Sequence, residues 1–171
     1  MKHTISVLVE NKFGVLARIA GLFSARGFNI ESLAVGETED AAVSRMTIVT
    51  DGDERTLDQI KKQLNKLIDV IKVSDFTDKK YLEKELMLIK VAVNAKTKKE
   101  VTEAVDSCGA EVVNTGEKSL AIEMTGDAGK IISLLELLRP FGILEVVRTG
   151  RIAMGIDDKE MKTPGKPEVN E

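Results

Sequence analysis

The feature that most constrains this chain is an order of hydrophobic periodicities that occurs twice. In the first half, alternating and β-branched residues predict strands at 4–9, 28–35, 43–49 and 70–73. Apolar residues at helical spacing predict helices over 15–23 and 57–67. The predicted order is therefore strand, helix, strand, strand, helix, strand, or βαββαβ.

The second half has the same order in a fainter form. Strands are predicted at 86–93, 112–113, 120–122 and 143–147, with helices over 98–108 and after 126–127. The polar stretch 76–80 separates the two halves, and the residues after 156 have little apolar content. We therefore predict domains at 1–77 and 78–156, followed by a flexible tail at 157–171.

Two βαββαβ units place the chain in the α+β class, as two ferredoxin-like domains. Right-handed crossovers put both helices of each unit on one face of a four-stranded antiparallel sheet. Halves of roughly 75 residues are near the lower limit for independent stability, so the sheet edges are expected to seek partners. Joining equivalent edges about a two-fold axis would extend the sheet and form a crevice for a small ligand.

Composition and charge argue against several classes of protein. Hydrophobic residues are 43% and charged residues 31%, which argues against disorder, and no apolar run approaches the roughly 20 residues of a membrane span. Met1-Lys2-His3 leads directly into a strand pattern, so we expect no signal peptide and a cytoplasmic location. A net charge of -3 and 4% aromatic residues argue against a nucleic-acid partner.

The chain has one histidine and one cysteine, which limits the metal and catalytic sites it can build. His3 is expected to be a solvated strand residue, and Cys108 a small buried apolar side chain. Met46, Met87 and Met124 lie inside predicted strands and are expected to pack in the cores. We therefore predict no disulfide, no metal ligands and no catalytic residues within one chain.

The segment between the first strand and the first helix is the strongest candidate for a binding site. Gly14 allows a ligand to approach the backbone closely, and the first amides of the helix, around Val15 and Leu16, have no intrahelical acceptor. These amides carry positive partial charge. They could therefore hold a carboxylate.

Asparagine and aliphatic residues around this segment complete a possible amino-acid site. Asn11 and Asn29 each offer one acceptor and two donors, which suit the ammonium and carboxylate groups of a free amino acid. Val15, Leu16 and Ile30 would receive an aliphatic side chain. From the residues alone, the alternative stays open that the glycine merely starts the helix and the first asparagine caps it.

Five strings of residues resemble one known family. They read ISVLVEN, GVL, GLFS, RGFNIESL and SRMTIV, at residues 5–11, 14–16, 21–24, 26–33 and 44–49. These strings closely resemble the small subunit of acetolactate synthase, whose N-terminal domain is an ACT domain of ferredoxin-like fold. In the first half the resemblance lies in the sequence itself. In the second half it lies in the order of the predicted elements and in the length.

The resemblance implies a regulatory function. In that family, ACT domains pair as a homodimer and bind valine or a related branched-chain amino acid at their interface. The small subunit also binds and activates a separate catalytic subunit, so it would confer feedback inhibition on valine, leucine and isoleucine biosynthesis without being an enzyme itself. By matching positions, the resemblance implies effector-binding roles for Asn11, Gly14, Val15, Leu16, Asn29 and Ile30. It implies no cofactor in this chain, and thiamine diphosphate, magnesium and FAD in the catalytic partner.

The chain departs from the family pattern at one position, and the two halves differ at the corresponding turn. Phe13 stands where a small residue or proline often precedes the glycine. The corresponding turn of the second half, 94–98, lacks a glycine, so we expect no second effector site there.

Two other functions of ferredoxin-like folds are alternatives. An acylphosphatase-like hydrolase would need an anion-cradling loop with an arginine, for which Lys12 and Arg18 are the nearest substitutes. An RNA-binding module would need an aromatic signature on its strands, and this signature is absent from the sequence.

Overall fold

The computed structural model describes residues 1–156, which divide into two compact units. Of these residues, the first unit comprises Met1–Leu82 together with 153–156, and the second comprises Glu83–Ile152. The sequence prediction placed the boundary earlier, at residue 77. The predicted flexible tail, 157–171, lies outside the described residues.

The first unit contains a four-stranded antiparallel sheet and two helices. Its elements are β1 Lys2–Glu10, α1 Val15–Ala25, β2 Ile30–Glu37, β3 Val43–Asp51, α2 Glu54–Leu64 and β4 Val70–Asp75. The strand order is β2-β3-β1-β4, with every neighbouring pair antiparallel. This arrangement confirms the predicted βαββαβ order and ferredoxin-like class.

Helix α1 lies between two glycines that have left-handed conformations. Gly14 precedes the helix with a φ of 82°, and Gly27 follows it with a φ of 68°. At the C-terminal end, the Phe28 amide donates to the Phe23 carbonyl over 3.0 Å, which closes a Schellman motif. Because this motif uses residues 27 and 28, β2 begins at Ile30 and not at 28 as predicted.

The first core lies between one face of the sheet and the two helices. Ile5, Val7 and Val9 of the central strand β1 are fully buried there. They pack with buried side chains of the helices and of β3, namely Val15, Ile19, Leu22, Phe23, Met46, Ile48, Leu57, Ile60 and Leu64. The predicted core position of Met46 is confirmed.

The opposite face of the first sheet is also covered. Thr4, Ser6 and Leu8 alternate with the core residues of β1 and are nevertheless buried. Phe76 and Tyr81 stack with their ring centroids 5.2 Å apart, and the Tyr81 hydroxyl reaches the Thr4 hydroxyl at 3.5 Å. The segment that follows β4 therefore covers part of a face that the sequence pattern left bare.

His3 is buried, so the prediction of a solvated strand residue is wrong. It is 1% exposed, with Nδ1 at 2.9 Å from the Thr77 hydroxyl and Nε2 at 3.1 Å from the Gly52 carbonyl. Thr77 also donates to Asp75, which pairs with Lys61 at 3.1 Å. Burial raises the pKa of Asp75, but the hydrogen bonds from Thr77 and Lys61 outweigh it and leave the pKa below its ordinary value.

The second unit repeats the architecture. Its elements are β5 Tyr81–Ala92, whose first two residues belong to the first unit, α3 Thr97–Ser107, β6 Glu111–Thr115, β7 Ser119–Gly126, α4 Ala128–Leu138, a 3-10 turn Arg139–Phe141 and β8 Ile143–Arg148. The sheet order is β6-β7-β5-β8, and a short strand β9, Ile152–Gly155, follows β8 in the chain. Strand β9 was not predicted, because four residues are too few to show a strand period.

Among residues 1–156, none of the helices has both the length and the apolar character that spanning a membrane requires.

The second core again lies between the sheet and the helices. Met87, Ile89 and Val91 of β5 pack there with buried residues of α3, β7 and α4. The predicted core positions of Met87 and Met124 are confirmed, since both are buried. Cys108 is only partly buried and packs at the margin of this core.

An ion pair between a buried carboxylate and a partly exposed arginine joins β5 to β8. The Glu85 side chain is 3% exposed, and Arg148 donates to its two carboxylate oxygens over 2.6 Å from Nε and 2.8 Å from Nη2. Hydrogen bonding to Glu85 raises the pKa of Arg148 above its ordinary value. The bidentate geometry satisfies a carboxylate that has little access to water.

Replacing Arg148 should strongly destabilise the second unit. Arg148→Ala leaves the Glu85 carboxylate buried and unpaired, so we expect the free energy of unfolding to fall by about 3 kcal/mol in urea denaturation. The control Lys90→Ala removes the exposed Lys90–Glu145 pair at 3.1 Å and should cost less than about 1 kcal/mol. Similar losses in the two variants would contradict this interpretation.

Replacing Gly14, before α1, and Gly21, within it, by alanine should change the free energy of unfolding in opposite directions. Gly14→Ala forces a side chain into the left-handed region, and we expect it to lower the free energy of unfolding by about 1 kcal/mol. Gly21 lies inside the helix with open space at the position of a Cβ, so Gly21→Ala should raise the free energy of unfolding by about 0.5–1 kcal/mol. Thermal or urea unfolding of both variants measures the difference in sign.

Candidate functional site

The loop between β1 and α1 is held from both sides by backbone hydrogen bonds. The Asn11 amide donates to the Ala42 carbonyl over 2.7 Å, in the turn before β3. The Glu10 amide donates to the Asp69 carbonyl over 2.9 Å, directly before β4. The loop is therefore fixed between the β2–β3 turn and the end of the α2–β4 connection.

The start of α1 differs from the starts of the other helices of residues 1–156. Asp53 and Asp127 each accept a hydrogen bond from an amide in the first turn of α2 and α4. The Asn94 side chain accepts from two amides at the start of α3. No side chain caps α1, where Gly14 is the N-cap residue. Its first-turn amides therefore carry positive partial charge with no anionic or polar side chain bound to them.

Asn11 does not cap α1, so the alternative in which it does is wrong. Its Nδ2 donates to the Glu37 carboxylate and to the Ala41 carbonyl, each over 2.9 Å. These two bonds use both hydrogens of the side-chain amide and leave Oδ1 as an acceptor. Glu37 was not among the predicted residues, because nothing in its local sequence shows that the end of β2 meets the β1–α1 loop.

The two cations nearest the loop form ion pairs. Lys12 Nζ lies 2.8 Å from Glu10, and this hydrogen bond raises the pKa of Lys12 above its ordinary value. Arg18 Nε lies 2.8 Å from Asp69, whose side chain is 10% exposed. Both cations have a carboxylate partner, and Arg18 is bonded to its partner through Nε alone.

The apolar residues that follow the glycine have different environments. Val15 is 3% exposed and packs in the first core, so its side chain does not offer a surface to a ligand. Leu16 is 44% exposed and Phe13 is fully exposed. The loop therefore presents Leu16 and Phe13, while the Val15 backbone amide makes a long hydrogen bond of 3.4 Å to the Lys12 carbonyl.

Asn29 and Ile30 lie far from this loop within one chain. Asn29 is exposed, and its carbonyl accepts a hydrogen bond from the Thr50 hydroxyl over 2.6 Å near the far end of β3. Ile30 is the first residue of β2, whereas Glu37, which contacts Asn11, is the last. A strand of eight residues spans about 26 Å. One chain thus brings together Asn11, Gly14, Val15 and Leu16, but it does not bring Asn29 or Ile30 to them.

Metal-binding geometry is not found in the described part of the chain. Among residues 1–156, no group of three or more His, Cys, Asp or Glu side chains could hold a metal ion. The polar groups at the β1–α1 loop are instead helix amides, an amide oxygen and paired charges. Such groups suit a small zwitterion.

Family models match both units of the chain. A model described as the ACT domain of acetohydroxyacid synthase (AHAS) small subunits matches residues 5–72. A model described as the small subunit of acetolactate synthase matches residues 84–156. The matched residues include all of the β1–α1 loop.

Individual relatives agree with these matches. A probable acetolactate synthase small subunit of Archaeoglobus fulgidus is 52% identical over 154 residues, covering 90% of this chain and 96% of the relative. An acetolactate synthase small subunit of Mycobacterium bovis is 52% identical over 152 residues, covering 89% of this chain and 90% of the relative.

A solved structure shows the same fold along nearly the whole chain. The crystal structure of the acetolactate synthase small subunit from Thermotoga maritima has a TM-score of 0.84 and 36% sequence identity. The match covers 92% of this chain and 99% of that one. Family models match both halves of the chain, and its relatives are about 50% identical in sequence. This chain therefore belongs to the acetolactate synthase small subunit family.

Proposed function

We propose that this chain is a regulatory subunit that binds the catalytic subunit of acetolactate synthase, raises its activity, and lowers it when valine or a related branched-chain amino acid binds. The proposal that an effector binds to this chain rests on one observation, the uncapped start of α1 with the Asn11 Oδ1 acceptor in the preceding loop. The names of the relatives as small subunits support a large catalytic partner.

The effector site is proposed to form between two copies of the chain. Strand β2 is an edge of the first sheet, and Val35 on it is 46% exposed. Antiparallel pairing of β2 with its counterpart, about a two-fold axis near the middle of the strand, would place Ile30 of one copy opposite Glu37 of the other. Each end of the paired strands then joins one copy's Asn11 loop to the other copy's Asn29. The homodimer accounts for the two halves of the site that one chain keeps apart.

The groups at this place suit a zwitterion with an aliphatic side chain. Asn11 Oδ1 can only accept, so it would bind the ammonium group. The Leu16 amide would bind the carboxylate, joined by the Val15 amide when it exchanges its long 3.4 Å bond to the Lys12 carbonyl, and the exposed Leu16 side chain would contact the aliphatic group. Asn29 and Ile30 of the second copy would close the site from the opposite side.

The catalytic chemistry is assigned to the partner in this proposal. Acetolactate synthesis joins two 2-oxo acids through a carbanion, for which thiamine diphosphate acts as the electron sink. We propose that the catalytic subunit holds thiamine diphosphate, magnesium and FAD, and that this chain holds none of them. This chain would act on the reaction only through the partner's conformation.

Valine can change the partner's activity only if it binds one arrangement of the complex more tightly than another. A difference of about 1–3 kcal/mol is enough for strong inhibition. The coupling is reciprocal, so the bound catalytic subunit must change the affinity of this chain for valine by the same factor.

Co-purification with a catalytic subunit of the same source tests the assignment. We expect the two proteins to elute together, acetolactate formation to rise when this chain is added, and the increase to be lost on adding valine. Calorimetry of valine binding with and without the catalytic subunit should give different affinities. Failure to bind and to activate would remove the proposal, and equal affinities would contradict equilibrium coupling.

A carboxylate at residue 14 tests the place of the effector. Gly14→Asp should put a negative charge where the carboxylate of valine must bind, and should abolish both valine binding and inhibition. Gly14→Ala introduces the same backbone strain without charge, so it should weaken binding less. Inhibition that persists in Gly14→Asp would show that the effector binds elsewhere.

A further inference from the structure

At the proposed effector site, on which this inference rests, few donors remain for a carboxylate. Asn11 gives both Nδ2 hydrogens to Glu37 and Ala41, so it has none for a ligand. The carboxylate of a bound amino acid must therefore be held by other groups. Besides the amides of α1 and Asn29 of the proposed second copy, the groups near the loop that can donate to a carboxylate are the cations Lys12 and Arg18.

Arg18 is placed at the start of its own helix. Its backbone amide donates to the Gly14 carbonyl over 3.0 Å, which puts the two residues one turn apart. Because side chains on a helix lean toward the N-terminus, the guanidinium returns toward that glycine. Its Nη1 lies 3.6 Å from the position that a Cβ of Gly14 would occupy.

Asp69 holds this guanidinium by one atom only. The hydrogen bond to Asp69 comes from Nε, and Asp69 is the only partner of the guanidinium among residues 1–156. Asp69 is itself fixed, since its side chain is 10% exposed and its carbonyl accepts from the Glu10 amide. The Arg18 side chain is 51% exposed. Its Nη donors are thus oriented by a rigid neighbour and remain accessible to a ligand.

We propose that Arg18 binds the carboxylate of the effector together with the first amides of α1, and that Asp69 is the residue that positions Arg18. Lys12 is less suited, because its ammonium pairs with Glu10 on a side chain that is 65% exposed. The site then contacts the two ends of the zwitterion with different groups, Arg18 at the carboxylate and Asn11 at the ammonium. This arrangement selects amino acids over amines that lack a carboxylate.

Calorimetry of the full-length chain with valine and with valinamide, which lacks the carboxylate, tests the proposal. Arg18→Ala should weaken valine binding by about 10- to 100-fold, the value of a charge-assisted hydrogen bond, and leave valinamide binding unchanged. Arg18→Lys, which keeps a cation, should restore part of the loss, and Asp69→Asn should weaken valine binding by a smaller factor. The matched control Lys12→Ala removes a cation from the same loop and should change the valine affinity by less than about 3-fold.

The outcomes separate this proposal from the proposed function. Unchanged valine affinity in Arg18→Ala, with the unmodified chain binding valine, overturns the role of Arg18 and leaves the effector site in place. Equal weakening of valine and valinamide in Arg18→Ala, or an equal loss in Lys12→Ala, shows a structural or general electrostatic effect and also overturns it. An unmodified chain that binds no valine overturns both proposals.

Discussion

The central position of β1 is the constraint on which the functional part of this molecule depends. This strand pairs with β3 on one side and β4 on the other, and residues 3–9 are buried on both faces of the sheet. A strand held in this way leaves little freedom for the residues that follow it. The loop at Asn11 therefore leaves the sheet at a defined point, between the β2–β3 turn and the residue before β4. The binding groups of the proposed site are loop residues, but a rigid scaffold places them.

The elements that the sequence predicted well are those whose signal is local. Strands and helices of both units follow their hydrophobic periods, and the buried methionines at 46, 87 and 124 follow the strand alternation. Gly14 was predicted to allow close approach of a ligand, and its left-handed φ of 82° is a finding of the structure that the prediction did not include. The six predicted effector residues stay predictions, with four near one another in the chain and two at the far end of β2.

What could not be predicted depends on contacts between residues far apart in sequence. His3 is buried because residues 75–77 return over the start of β1, and the sequence around His3 carries no sign of that return. Glu37 contacts Asn11 across the β2–β3 turn, and Asp69 meets Arg18 from the α2–β4 connection. An exposed charge and a paired charge look the same in a helix pattern. Only the fold distinguishes them.

A site divided between two chains has a thermodynamic consequence for regulation. If Asn11 comes from one copy and Asn29 from the other, valine binds the paired chains and not the separate ones, so it stabilises pairing by RT ln(1 + [L]/Kd) for each site. At a valine concentration of 100 times Kd, this amounts to about 2.7 kcal/mol per site. In the proposed dimer the same energy would act on the register and separation of the two β2 edges, because both sites would lie at the ends of the paired strands. Valine would thus act by changing the geometry of the continuous sheet. A catalytic subunit that contacts both copies would be affected by this change.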